Sequence, residues 1–203
     1  MRFLFAVVFL TVAVCAQTPQ IKVETQYDTV SITNLYTSPV TALIAWAPLE
    51  EPRTFREFAL VNDPVAFEPD EARQVIIGSG QRRLLHFKGR DGLAVGVLFA
   101  DGKSAGDPEA VQRLIDNRRE TMFAISSVLA TMRTLVNVEV RRSALIKRVE
   151  QFAEQQRTAA GLTAGANVGA LVSKRTADLL RASDDPASVV AILERWRERL
   201  EGN

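Results

Sequence analysis

The sequence predicts an α+β protein: an antiparallel β-sandwich first, then a long helix and a C-terminal helical hairpin or small bundle. Two observations carry this expectation. Apolar residues recur every two positions before Asp107 and every three or four after it. Turn residues punctuate the first half about every ten positions, whereas no Gly or Pro falls between Pro108 and Gly161.

A leader precedes both halves. Met1-Arg2 supplies positive charge, Phe3 to Cys15 is apolar apart from Thr11, and Val14-Cys15-Ala16 ends in small residues. This is the pattern of a secretory signal peptide over residues 1–16, with cleavage between Ala16 and Gln17. The run is shorter than the roughly 20 apolar residues that span a bilayer. Val14 is bulky where a lipoprotein signal needs a small residue, so Cys15 reads as leader sequence rather than as a lipid anchor.

Export frames the composition. Cys15 is the sole cysteine, so cleavage leaves a chain without disulfides, and none of the asparagines sits in an Asn-x-Ser/Thr sequon. Extracellular eukaryotic domains usually carry disulfides, so the expected location is bacterial, periplasmic or secreted. With 47% hydrophobic and 24% charged residues, the chain can build an ordinary core. Its 25 basic and 24 acidic residues nearly cancel, and one of the basic ones lies in the leader. A balanced chain lacks the basic footprint of a nucleic-acid binder and has no general attraction to anionic membranes.

The sandwich is expected over 20–104. Val40, Ala42, Ile44 and Trp46 alternate along one strand, and Leu93, Val95, Val97 and Phe99 along another. Less regular strands fall at 28–36, 54–61, 73–77 and 82–88. The turns include Ser38-Pro39, Asn62-Asp63-Pro64, Gly78-Ser79-Gly80 and Asp101-Gly102.

The helical region is expected over 107–201. Asp107 can cap the first amides, Pro108 is tolerated in the first turn, and Glu109 suits the positive end of the dipole. A long helix over 107–157 follows. Met122, Ile125, Leu129, Met132 and Val136 form a heptad seam. The β-branched residues around Asn137 lower helix propensity, which favours a bend or break there, and Arg142 stands where an apolar residue is wanted. The small, uncharged stretch 158–168 reads first as a reversal, because Gly161, Gly165 and Gly169 would weaken a helix, and second as a helix whose glycines, four apart, form a groove for close packing. Helices at 169–183 and 186–201 follow, the last with Val189, Ile192, Leu193, Trp196 and Leu200 on one stripe. The seam residues and Trp196 are the candidate interface with a partner helix.

Catalytic chemistry has little material. His86 is the only histidine and reads as a strand residue, and Gly78-Ser79-Gly80 lacks the spacing of a nucleophile elbow. Zinc needs three or four Cys/His ligands, which the chain cannot supply. The acids are Glu68, Asp70 and Glu71 around Pro69, and Asp101 and Asp107. Two carboxyls suffice for glycoside hydrolysis, yet Asp101 reads as a turn residue and Asp107 as a cap. No catalytic residue, cofactor or metal ligand is assigned. The basic run Arg82, Arg83, Lys88 and Arg90 reads as protection of a strand edge. Arg141, Arg142, Lys147 and Arg148, with acidic Glu139 and Glu150 nearby, read as a solvated helix face.

Ser31-Ile32-Thr33-Asn34, Val40-Thr41-Ala42, Ser79-Gly80-Gln81 and Val97-Leu98-Phe99-Ala100-Asp101-Gly102, with Gly106-Asp107 at the helix start, resemble uncharacterised exported bacterial proteins. The resemblance covers about the middle third of the chain and implies an immunoglobulin-like sandwich with a helical tail. It implies no activity. The expected function is an exported, non-enzymatic interaction protein that meets a protein partner or a second copy through its helices. The rival expectations are a hydrolase of envelope polysaccharide using acids such as Glu68 and Asp107, and an envelope- or lipid-associated protein.

Overall fold

The computed structural model describes residues 18–47, 58–68, 70–86, 93–137, 141–159 and 164–201. The strands precede the four long helices, in the order β1 (Ile21–Gln26), β2 (Thr29–Asn34), β3 (Val40–Ala47), β4 (Phe58–Asn62), α1 (Glu71–Gln74), β5 (Arg82–His86), β6 (Ala94–Phe99), β7 (Ser104–Gly106), α2 (Pro108–Asn137), α3 (Arg142–Ala159), α4 (Ala164–Ala182) and α5 (Pro186–Glu201). The strand expected over 73–77 does not form: its start lies in α1, a single turn capped by Asp70. The protein is mixed α+β, with two antiparallel sheets ordered β1-β2-β5 and β4-β3-β6-β7.

The two sheets share one core. Val30 and Ile32 of β2 and Leu85 of β5 cluster with Leu43 and Ala45 of β3 and with Val95, Val97 and Phe99 of β6. The second sheet is also buried on its other face, where Ala42, Ile44 and Leu98 meet Ala110 and Leu114 of α2. This explains why β3 is apolar almost throughout: both of its faces lie under cover. An irregularity in the β3–β6 pairing falls between Val40 and Ala42. It puts Val40 with Leu43 and Ala45 in the shared core, while Ala42 and Ile44 face α2. The strict alternation from Val40 to Ile44 therefore does not hold, because the bulge shifts the faces by one residue.

α2 comes this close to the sheet because Gly96 has no side chain. A Cβ there would stand 2.6 Å from the Val111 nitrogen and 2.7 Å from the Ala110 carbonyl carbon. Gly106, at φ 111°, turns the chain from β7 towards α2, and a Cβ there would fall 2.1 Å from the Val95 oxygen. Asp107 then caps the helix through Ala110 N at 2.9 Å.

The single helix expected over 107–157 is replaced by two, α2 and α3, with residues 138–140 outside the described set. Folding the chain here brings Leu145 and Val149 of α3 into the same core as Ile125, Leu129 and Met132 of α2, which one straight rod could not do. Arg142 has a role the sequence does not suggest. Its Nε donates to the Leu180 carbonyl at 2.5 Å and its guanidinium also reaches the Arg181 carbonyl, so it covers the exposed carbonyls at the end of α4. α4 begins at Ala164, inside the span expected to be a reversal, and residues 160–163 lie outside the described set. Burial of Val168, Ala170 and Val172 offsets the helix cost of Gly165 and Gly169.

Gly96→Val is expected to destabilise the protein by about 1–3 kcal/mol or more through overpacking against α2. A lowered urea midpoint for this variant checks that contact.

Candidate functional site

A cleft opens where the second sheet meets the helical bundle. The turn between β6 and β7 forms one wall. Gly102, at φ 79°, donates its amide to the Phe99 carbonyl at 3.0 Å and closes that turn. Tyr36 braces it from below: its ring packs edge-on to Phe99 at 5.0 Å, and its hydroxyl donates to Asp101 Oδ2 at 2.8 Å. Lys103 Nζ donates to the same hydroxyl at 2.7 Å. Partial burial pushes the Asp101 carboxyl up, but the Tyr36 hydroxyl, the Lys103 amide and the Lys103 ammonium outweigh it and hold its pKa below the ordinary carboxylate value.

The opposite wall is α2. Its buried stripe runs Ala110, Leu114, Arg118, Thr121, Ile125. Arg118 thus sits where an apolar side chain would be expected, and it meets Asp63, just beyond β4. Nε lies 2.8 Å from Oδ2 and Nη2 3.1 Å from Oδ1, with the side chains 9% and 8% exposed. This two-pronged pair fixes the helix relative to the strand end. The chain after Asp63 then enters the bundle. Ala66 is part of the bundle core, Phe67 packs edge-on to Trp196 at 4.9 Å, and the Arg175 guanidinium lies over the Phe67 ring at 4.4 Å.

Between these anchors the cleft holds about 320 Å³. Leu98, Ile115, Met122 and Leu200 give it apolar walls, and Ser104, Arg118 and Arg119 supply the polar groups. Arg119 stands at the mouth, with its side chain 69% exposed and an ion pair to Asp116 at 3.1 Å. Junctions of this kind are where small-molecule sites usually form.

The expected helix-partner residues are occupied within the chain. Ile125, Leu129, Met132 and Trp196 lie in the bundle core, and Met122 and Val136 pack against it. α4 and α5 pack on α2 and cover the seam that a second chain was expected to cover.

The acids serve local structure. Asp70 caps α1 through Ala72 N at 3.0 Å, and Glu68 Oε1 accepts from Asp70 N at 3.3 Å. Asp107 faces the first amides of α2. The Glu71 side chain lies outside the described residues. His86 Nδ1 is 3.2 Å from the Thr29 hydroxyl on an exposed face. Arg82 and Arg83 lie on β5, an edge strand of the first sheet, while Lys88 and Arg90 fall outside the described set. Among the described residues, no cluster of three or more His, Cys, Asp or Glu could hold a metal ion, and no helix is long and apolar enough to cross a membrane.

Sequence reading missed Asp63, Arg118 and Phe67. The spacing held one signal: Arg118 interrupts an otherwise uncharged stripe of α2 at positions three and four apart. No protein-family model, curated protein or solved structure matches the chain.

Two outcomes follow for stability. Arg118→Ala should cost about 3–5 kcal/mol, because it strands the Asp63 carboxylate in a buried position, whereas Arg118→Met with Asp63→Leu should recover most of the loss. Urea unfolding of the three proteins checks this. The lowered pKa of Asp101 makes its contribution fully present above the unfolded value of about 3.9 and lost as pH falls through the lower folded value. Asp101→Asn should therefore flatten the acid limb of a stability-against-pH curve below about pH 4 and leave its shape at neutral pH unchanged.

Proposed function

We propose that this is an exported, non-enzymatic binding protein of the bacterial envelope, and that the cleft between the second sheet and the bundle is its ligand site. The observation that carries the reading is the composition of that cleft: four apolar side chains on the walls, and a hydroxyl and a guanidinium near the mouth. Such a site suits a small molecule with an apolar body and an anionic end. Arg118 is held in a buried two-pronged pair with Asp63, whereas the pair of Arg119 with Asp116 is exposed and exchangeable with solvent, so Arg119 is the group that can meet the anionic end.

The leader pattern of residues 1–16 supports export. The strand order supports the immunoglobulin-like reading. β1-β2-β5 corresponds to strands A, B and E, and β3-β6-β7 to C, F and G, with β4 as the extra strand beside C. The packing of α4 and α5 on α2 supports the reading of a helical hairpin.

The test uses anilinonaphthalene sulfonate, an aromatic body carrying a sulfonate, with the purified protein. Its fluorescence should rise saturably. Met122→Trp, which fills the cleft, should abolish the rise. Arg119→Glu should weaken binding about tenfold or more, the worth of one charge-assisted hydrogen bond. Unchanged binding in both variants would sink the reading.

A further inference from the structure

We propose that the protein pairs with a second copy of itself along β1, antiparallel and in a register centred on Val23. β1 is an edge strand, six residues long, and exposed along almost its whole length. Across the groove, the edge strand β7 has only three residues, the last of them Gly106, and the other edge of the first sheet, β5, carries the adjacent like charges Arg82 and Arg83. A long edge with free backbone groups is a template for another strand.

The register follows from backbone direction and charge. The Gln20 carbonyl accepts from Leu35 N at 3.1 Å, on the side of β2. Backbone groups alternate along a strand, so Lys22, Glu24 and Gln26 bond to β2 and Ile21, Val23 and Thr25 point their N–H and C=O groups outwards. A symmetric antiparallel pair must therefore match odd residues with odd residues. Centring it on Lys22 sets Lys22 against its own copy, and centring it on Glu24 sets Glu24 against its own copy. Like charges directly opposite are destabilising. Centring it on Val23 places Lys22 against Glu24 of the second copy, and Glu24 against Lys22, at the same time.

The side chains agree with this register. Lys22 and Glu24 lie on one face and already form an ion pair at 2.7 Å, so two copies would assemble an alternating square of charges. Val23 pairs with Ile32 and therefore lies on the core side of the sheet, yet it is 39% exposed. It borders an open groove of about 870 Å³ that separates β1 from β6 and β7. In the pair, each Val23 covers the other. A strand-sized contact is small, so the dimer is expected to be weak and reversible.

Sedimentation velocity on the full protein over a concentration series tests this. The wild type should shift towards dimer with concentration. Lys22→Glu alone should be monomeric, because the introduced carboxylate then faces Glu24 of the second copy. Glu24→Lys alone should be monomeric, because the introduced ammonium then faces Lys22 of the second copy. Equimolar mixing of these two variants should restore association, since each charge then meets its opposite. Both positions are on the solvent face of an edge strand, and unchanged thermal melts show that each variant folds. A wild type that stays monomeric at its highest soluble concentration overturns the proposal and leaves β1 to a strand of a different protein. Single variants that associate as the wild type does, or a mixture that stays monomeric, overturn it too.

Discussion

α2 touches both halves of the protein, and its position against β6 governs the rest. Gly96 lets the helix backbone approach the strand to a distance that excludes any side chain. Further along the helix, Arg118 reaches Asp63 and ties it to the end of β4. Closeness at one point and charge at the other leave α2 little freedom to slide or rotate. Its remaining turns then project beyond the sheet and present the seam on which α4 and α5 assemble.

Burying such a pair is not a cheap way to gain stability. Both ions lose their water, and their attraction offsets that cost only when the geometry is good. Here the guanidinium engages both carboxylate oxygens. The gain is in orientation, because a two-pronged contact permits few alternatives. The same contact directs the chain after Asp63 into the bundle, where Ala66 and Phe67 sit among helix side chains. Sheets and helices thus share anchors along α2 rather than meeting through a linker. The cleft exists because these anchors hold the walls apart on either side of it.

The two sheets meet different fates. The second is covered on both faces, by the first sheet and by α2. The first keeps one face open, with Lys22, Glu24, Ser31, Arg82 and His86 on its strands. Among the described residues, its β1 edge has no strand beyond it. Apolar helix seams, which in sequence look like the place for a partner, are satisfied internally. Among the described residues, β1 instead presents an open sheet edge, where backbone rather than side chains would make the contact.

The order of strands then helices, the turn residues and the start of α2 at Asp107-Pro108 were legible because each rests on neighbours in the chain. Periodicity, capping and φ preferences act over a few residues, and sequence displays them directly. The seam of α2 was legible as a stripe needing cover, but its cover was not, since a stripe has the same spacing whichever helix lies on it. Asp63 and Arg118 are 55 residues apart, and nothing local marks an aspartate in a turn as the partner of an arginine on a helix. The weak point between α2 and α3 was legible in the β-branched residues around Asn137, but the direction in which the chain folds there, the capping of α4 by Arg142 and the extension of α4 through its glycines were settled by packing. Sequence determined what each segment would form alone, and tertiary structure decided which segments meet, because burial energy depends on contacts between residues that the chain keeps far apart.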